Sequence, residues 1–201
     1  MHTARRLFLA SALSLALVGG PVFAGEGSQT GQPETAAATG ALSSIHIDNF
    51  GRVNAGYYRG AQPAPGDYAD LKAFGIKLVI DLQKDGDPAE EGQVTRAGMS
   101  FVRIPMTTHE PPTAERLEQF LSLVNDQANQ PVYVHCAGGR HRTGVMTAAY
   151  RMTQEGWTAE KAFGEMKKYK FGADFLHPEF KQFVYAYHPA ARPAVAVAAQ
   201  Q

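Results

Sequence analysis

Residues 134–145 read VHCAGGRHRTGV and contain the sole cysteine of the chain, Cys136. His135 precedes it, Gly138 and Gly139 follow, and Arg142 and Thr143 close the run. The nucleophilic form of cysteine is the thiolate, and cationic neighbours and a helix N-terminus favour it. A planar guanidinium six positions on can clamp two oxygens of a tetrahedral anion, and it grips harder as charge redistributes in a transition state. Paired glycines allow successive N–H groups to turn inward as an anion nest. Cys136 is therefore the expected nucleophile, with Ala137, Gly138, Gly139, Arg140, His141 and Arg142 around the anion. Thr143 can offer its hydroxyl to the sulfur and steady it when it leaves in a second step. His135 is expected to order the loop. Arg140 and His141 should project to the rim and select acidic or multiply phosphorylated substrates.

Such a loop needs a strand before it and a helix after it. Pro131 to His135 (PVYVH) reads as a short buried strand, and Thr143 to Gln154 as a helix stopped by Gly156. In a parallel α/β sheet, ligands bind where a strand's C-terminal end feeds a helix N-terminus. The rest of the chain alternates in the same way. Strands are expected at Ser44–Ile47, Tyr57–Tyr58, Ile76–Leu82 and Phe101–Ile104. Helices are expected at Asp67–Phe74, Glu90–Ala97, from Thr113 as cap through Val124, at Thr158–Lys168 and at Pro178–Tyr187. The near-continuous apolar run IKLVIDL suits a central strand covered on both faces. The pattern predicts an α/β fold, a central mostly parallel sheet flanked by helices.

The spacing His135-Cys136-x-x-Gly139-x-x-Arg142-Thr143 resembles the HCxxGxxR[ST] loop of the cysteine-dependent protein tyrosine and dual-specificity phosphatases. YYRGAQP (57–63), LKAFGIKLVIDL (71–82) and IPMTTHEPPT (104–113) are similar to stretches of the small atypical members. GRHRTG and the following YRMTQEGWTAEKAFGEM resemble the bacterial exported, TpbA-like branch. The likeness covers roughly residues 45–185. It implies the phosphatase fold of the dual-specificity type and phosphomonoester hydrolysis through a phosphocysteine intermediate, without cofactor or metal. His46, His177 and His188 have no spacing that suggests metal ligation.

The family usually supplies an Asp, about 30 residues before the cysteine, to protonate the leaving oxygen. The matching loop here, MTTHEPPT (106–113), has none. Glu110 is the favoured donor, and His109 is an alternative because imidazolium is competent near neutral pH. Asp81, at a strand end, reads more readily as a structural acceptor. Arg59 is expected to pair with a carboxylate, and Lys167, Lys168 and Lys170 to sit near a helix end where cations complement the dipole.

Beyond this domain, the chain opens with His2, Arg5 and Arg6, an apolar run from Leu7 to Val18, and Val22-Phe23-Ala24, the pattern of a cleaved secretory signal. Residues 1–24 are thus expected to be a signal peptide, 25–42 a flexible linker, 43–188 the phosphatase domain, and 189–201 a low-complexity tail. The expected location is periplasmic or secreted, in a bacterium, with no stable membrane insertion after cleavage. The chain carries 19 basic and 19 acidic residues. Removing a leader with two arginines and no acidic residue leaves 17 against 19, a charge of −2. That balance argues against a nucleic-acid partner, so the partner is a phosphorylated protein or a small phosphorylated molecule. Three other readings stay open at this point: an inositol-phosphate phosphatase on the same scaffold, a rhodanese-like sulfurtransferase, and a catalytically weak phosphate-binding module.

Overall fold

Val132, Tyr133 and Val134, branched and aromatic in succession, open Val132–Cys136, here β5, a strand that is buried along its whole length. In the computed structural model, which describes residues 45–189, it lies at the middle of a five-stranded sheet. The predicted signal peptide and linker, Ser44, and all of the predicted tail except Pro189 lie outside the described residues.

In chain order the elements are β1 (Gly51–Asn54), β2 (Tyr57–Ala61), α1 (Asp67–Phe74), β3 (Leu78–Gln83), α2 (Glu90–Arg96) and β4 (Ser100–Met106). Then come α3 (Ala114–Asn125), β5, α4 (Arg142–Glu155), α5 (Ala159–Lys168), a 3-10 turn (Asp174–Leu176) and α6 (Pro178–Ala186). The sheet order is β1-β2-β5-β3-β4. Only the β1–β2 pair is antiparallel; β5 pairs in parallel with β2 and β3, and β3 with β4. This is the predicted α/β architecture.

Four differences from the sequence reading concern the sheet. Ile45 to Ile47 form no strand; both isoleucines are buried in irregular backbone, which mimics a strand's apolar alternation. The edge strand instead falls at GRVN, where one buried valine among polar neighbours leaves little pattern to read. β3 also begins at Leu78, two residues later than expected, and β4 reaches Met106.

Alternation along the central strands divides the interior into two cores. Leu78, Ile80, Leu82, Val132, Val134 and Cys136 face the helices α3 to α6. Val79 and Tyr133 face α1 and α2, with Tyr68, Leu71 and Val94 packed against them. The local signals behave as their chemistry dictates. Thr113 and Thr158 cap α3 and α5 by accepting from the amides three residues on. Gly75 and Gly156 end α1 and α4 in the left-handed region. From Arg142 to Met152 every residue of α4 is buried, so the helix that follows the loop is fixed in the larger core.

Candidate active site

The end of β5 delivers Cys136 to the sheet's C-terminal edge with 3% of its surface exposed. Six positions later α4 begins at Arg142, so the five-residue loop 137–141 has to turn sharply between two buried elements. Its shape is imposed from outside. Asn49, itself at φ 58°, donates from Nδ2 to the carbonyls of Gly138 (3.2 Å), Gly139 (2.9 Å) and Tyr169 (3.0 Å). Arg59 donates from Nη2 to the Gly139 carbonyl at 2.6 Å, and the Gln62 amide donates to the Ala137 carbonyl at 3.2 Å. In a planar trans peptide the N–H points opposite to the C=O. Tying these carbonyls to the surrounding frame therefore turns the amides that follow them toward the anion site.

Arg59 corrects one expectation. Its partner is a backbone carbonyl, not a carboxylate, and its guanidinium stacks on the Tyr169 ring at 4.0 Å. The side chain is wholly buried, and that burial pulls its pKa below the usual guanidinium range. Sequence reading missed Asn49 altogether, since a lone asparagine in a polar segment carries no signal. The YYRG stretch pointed at Arg59 without showing its task.

Arg142 is 5% exposed. Its Nη1 reaches the Asp85 carboxylate at 3.0 Å and donates to the Met106 carbonyl at 3.2 Å, while Nε is buried with no partner among the described residues. The Thr143 hydroxyl is likewise buried and without a partner among those residues. A buried donor with nothing to bind is costly unless a ligand supplies the acceptor. Cys136, Ala137, Gly138, Arg140, His141 and Arg142 line, with Thr108, a cavity of about 230 Å³. A second cavity of about 380 Å³ shares Thr108 and Arg142 and is otherwise lined by Lys84, Asp85 and Thr107. Asp85 had no place in the sequence reading. It sits two residues beyond β3 with a mostly exposed side chain, and hydrogen bonding to Arg142 holds its carboxyl below the ordinary range.

The two predicted proton donors lie on the loop after β4. The Glu110 carboxylate is exposed and accepts from the Thr107 hydroxyl at 3.3 Å. His109 is exposed, with its ring 5.8 Å from that of His177. Asp81 is fully buried and accepts from Arg103 Nε (2.7 Å) and the Gln83 amide (2.9 Å), as a structural acceptor would.

His135 points the other way from the thiol, because successive residues of β5 face opposite sides. It stacks on Tyr133, and its Nε2 lies 2.8 Å from Glu90 Oε1. Burial opposes ionisation of Glu90, but His135, Gln62 and Tyr68 outweigh it and hold the carboxyl below its ordinary range. His135 thus anchors the strand end from beneath.

Arg140 is exposed, as expected of a rim residue. His141 is not a rim residue. Its Nε2 is hydrogen-bonded to the Phe171 carbonyl (3.0 Å), and its ring lies 3.8 Å from that of His177. Burial first, and His177 second, keep it below the usual imidazole range. His177 in turn donates from Nδ1 to the Thr108 carbonyl at 2.9 Å. Nothing in its local sequence shows that α6 folds back onto the loop. Two of the three lysines are neutralised: Lys167 pairs with Asp174 (2.7 Å) and Lys170 with Asp48 (2.5 Å).

A family model described as "DSP-PTPase phosphatase fused to NAD+ Kinase" matches residues 43–182. The dual specificity protein phosphatase TpbA of Pseudomonas aeruginosa is 32% identical over 167 residues, covering 83% of this chain and 73% of the relative. The chain belongs to the cysteine-dependent dual-specificity and tyrosine phosphatase family. Crystallised TpbA superposes on this phosphatase with a TM-score of 0.61 at 26% identity, over 70% of this chain and 86% of that one. The inositol diphosphatase SIW14 of Saccharomyces cerevisiae is 26% identical over 133 residues, 63% of this chain and 47% of the relative. Its catalytic core shares the fold with a TM-score of 0.61 over 71% of this chain and 86% of that core. Family membership decides against the rhodanese-like alternative. It leaves both phosphatase readings standing, and it gives the cysteine-to-arginine loop the context in which its spacing was read.

Proposed function

We propose that the protein hydrolyses phosphate monoesters of proteins, phosphotyrosine first among them, through a phosphocysteine at Cys136. One observation carries this reading: Cys136 and Arg142 line one small cavity whose loop carbonyls are tied outward by Asn49 and Arg59. In the first step the Cys136 thiolate attacks phosphorus, an S–P bond forms, and the P–O bond to the leaving group breaks. Arg142 and the loop amides hold the phosphoryl oxygens. In the second step water attacks phosphorus, the S–P bond breaks, and inorganic phosphate departs. The Thr143 hydroxyl donates to the sulfur as it leaves.

The leaving oxygen needs a proton in the first step, and the attacking water must lose one in the second. We assign both transfers to Asp85, the carboxylate that touches the phosphate-binding guanidinium. Phosphate takes Asp85's place on Arg142, and a released carboxylate beside an anion holds its proton more tightly. Glu110 and His109, the donors expected from the sequence, stand on the neighbouring loop and serve as the comparison in the test.

A relative supports phosphotyrosine as the substrate: a solved structure of TpbA is in complex with pTyr, and it is 26% identical to this chain. A second reading, hydrolysis of an inositol diphosphate, draws on Lys84 and Arg140, which line two cavities that share Thr108 and Arg142, and on relatives named inositol diphosphatases. Comparing kcat/KM for phosphotyrosine peptides, phosphoserine peptides and inositol phosphates separates the two. Turnover that persists in Cys136→Ser, or its absence on every phosphoester, would sink the proposal. The leader sequence supports export to the periplasm or beyond. A mature chain beginning at Gly25 in the periplasmic fraction is the expected result. Among the described residues no helix is long and apolar enough to cross a membrane.

A further inference from the structure

Three imidazoles and a carboxylate meet beside Thr108 and the cysteine-to-arginine loop, although they come from separate segments. His109 belongs to the loop between β4 and α3, His177 to the junction of the 3-10 turn and α6, and Glu179 to the first turn of α6. A donor atom from each of these three lies within 4.8 Å of those of the other two. The third imidazole, His141, lies against His177. We infer that His109, His177 and Glu179 form a zinc-type divalent-cation site whose occupation slows the phosphatase.

The donor set fits that cation. Two imidazole nitrogens and one carboxylate oxygen, with a fourth position open, make a common zinc arrangement, and imidazole selects zinc, copper or nickel over magnesium or calcium. Because His177 gives its Nδ1 proton to the Thr108 carbonyl, its Nε2 lone pair is left for a metal. A carbonyl on the far nitrogen is the usual support of a metal-bound histidine. Glu179 Oε1 is buried with no hydrogen-bond partner among the described residues, though it lies 3.5 Å from His177 Nδ1. A carboxylate oxygen in that position gains most from a cation. Tetrahedral zinc with bonds of 2.0–2.1 Å sets ligand atoms about 3.4 Å apart. Rotation of the exposed His109 side chain, and of the Glu179 carboxylate from His177 Nδ1 toward Nε2, would close the remaining distance.

The site's neighbours make occupation consequential. Thr108 and His141 both line the phosphate cavity, and both touch His177. A cation held by His109 and α6 would pin the loop that carries Thr108 and add a coordination shell beside Thr108 and His141. The expected effect is a lower kcat, reversed by a chelator.

The test separates this site from the thiolate, itself a zinc ligand. Zinc chloride titrated by calorimetry into full-length Cys136→Ser protein should bind one equivalent. Glu179→Gln and His109→Ala, in the same background, should each weaken that binding at least tenfold. Cobalt in the same protein should give a tetrahedral visible spectrum without a sulfur charge-transfer band. Unchanged affinity in both variants, or no binding, would overturn the site, and neither result depends on the phosphatase reading. The inhibitory role rests on that reading and is checked in the protein with Cys136 intact. There, zinc should reduce aryl phosphate turnover, and Glu179→Gln should need about tenfold more zinc for the same loss. Binding without inhibition would overturn the regulatory role alone.

Discussion

Arg59 and Gly139, eighty residues apart in the chain, are joined by a 2.6 Å hydrogen bond from the buried guanidinium to the loop carbonyl. The Tyr169 ring covers the same guanidinium at 4.0 Å. A cation is thus spent on holding a peptide plane, and the plane's orientation decides where the next amide points. Arg59→Lys keeps the charge but loses the fork and the flat stacking surface. We expect vanadate, an analogue of the phosphoryl group, to bind about tenfold more weakly, with kcat/KM for an aryl phosphate reduced at least as much. The stability lost should be roughly 1.5–3 kcal/mol, the range for a hydrogen bond to a charged group. Urea unfolding checks the second figure. A variant that loses stability but keeps vanadate affinity would show that Arg59 supports the fold only.

Gly139 offers a sharper test of the loop. Its φ is +62°, and a Cβ there would stand 2.4 Å from the Gly60 carbonyl group and 2.8 Å from the Ala61 amide. Both are backbone atoms of β2 and cannot step aside. Gly139→Ala should destabilise the protein by more than the roughly 1–2 kcal/mol of left-handed strain alone, and lower kcat/KM by about a hundredfold. Gly138→Ala is the control. Its Cβ would meet Arg140 Nε at 3.2 Å, and that exposed side chain can swing away. Its activity should stay within a few fold of the parent.

Buried Glu90 links stability to acid. Its folded carboxyl lies below the ordinary range, and the unfolded value is about 4.3, so the folded state binds the proton less readily than the unfolded chain. The stabilisation is therefore complete above that unfolded value and is lost as pH falls through the folded one. We expect the urea midpoint to drop steeply below about pH 4, and Glu90→Gln to flatten that drop while lowering stability at pH 7. Asp48, Asp85, Glu115 and Asp174 also have lowered carboxyl pKa values, but solvent screens these exposed groups and they should contribute little. An equally steep acid transition in the Gln variant would point to other groups.

The proposed nucleophile and its loop could be picked out because their chemistry is local. The thiol, the glycines and the guanidinium follow one another within a single strand–turn–helix unit, and that unit formed where the pattern put it. The frame around the loop was not legible for the opposite reason. Asn49, Asp85 and His177 act across separations of 90, 57 and 69 residues, and no spacing rule records a contact made only by folding. His141 shows the same limit within the loop. Its position in the sequence suggested the rim, but α6 and Phe171 supply partners that turn it inward. The β1 edge escaped because a two-strand pairing at a sheet margin needs only one buried side chain.

Asp85 and Arg142 carry a prediction with two opposite signs. In the free protein their 3.0 Å contact occupies the guanidinium that phosphate must reach, so the carboxylate competes with the ligand. Asp85→Asn removes the negative charge, and inorganic phosphate or vanadate should then bind several-fold more tightly. The same change removes the proposed proton donor. With a poor leaving group such as an alkyl phosphate, kcat should fall by about a hundredfold, and with an activated aryl phosphate by far less. The pH dependence must follow. A general acid works only while protonated, so kcat for the parent should decline on the alkaline side, and the Asn variant should lose that decline. The acid-side limb should be the same in both. Stopped-flow turnover of a leaving-group series at several pH values measures all three effects. If Asp85→Asn gives tighter phosphate binding with an unchanged leaving-group dependence, Asp85 only caps the arginine. The proton would then come from the loop that bears Glu110 and His109.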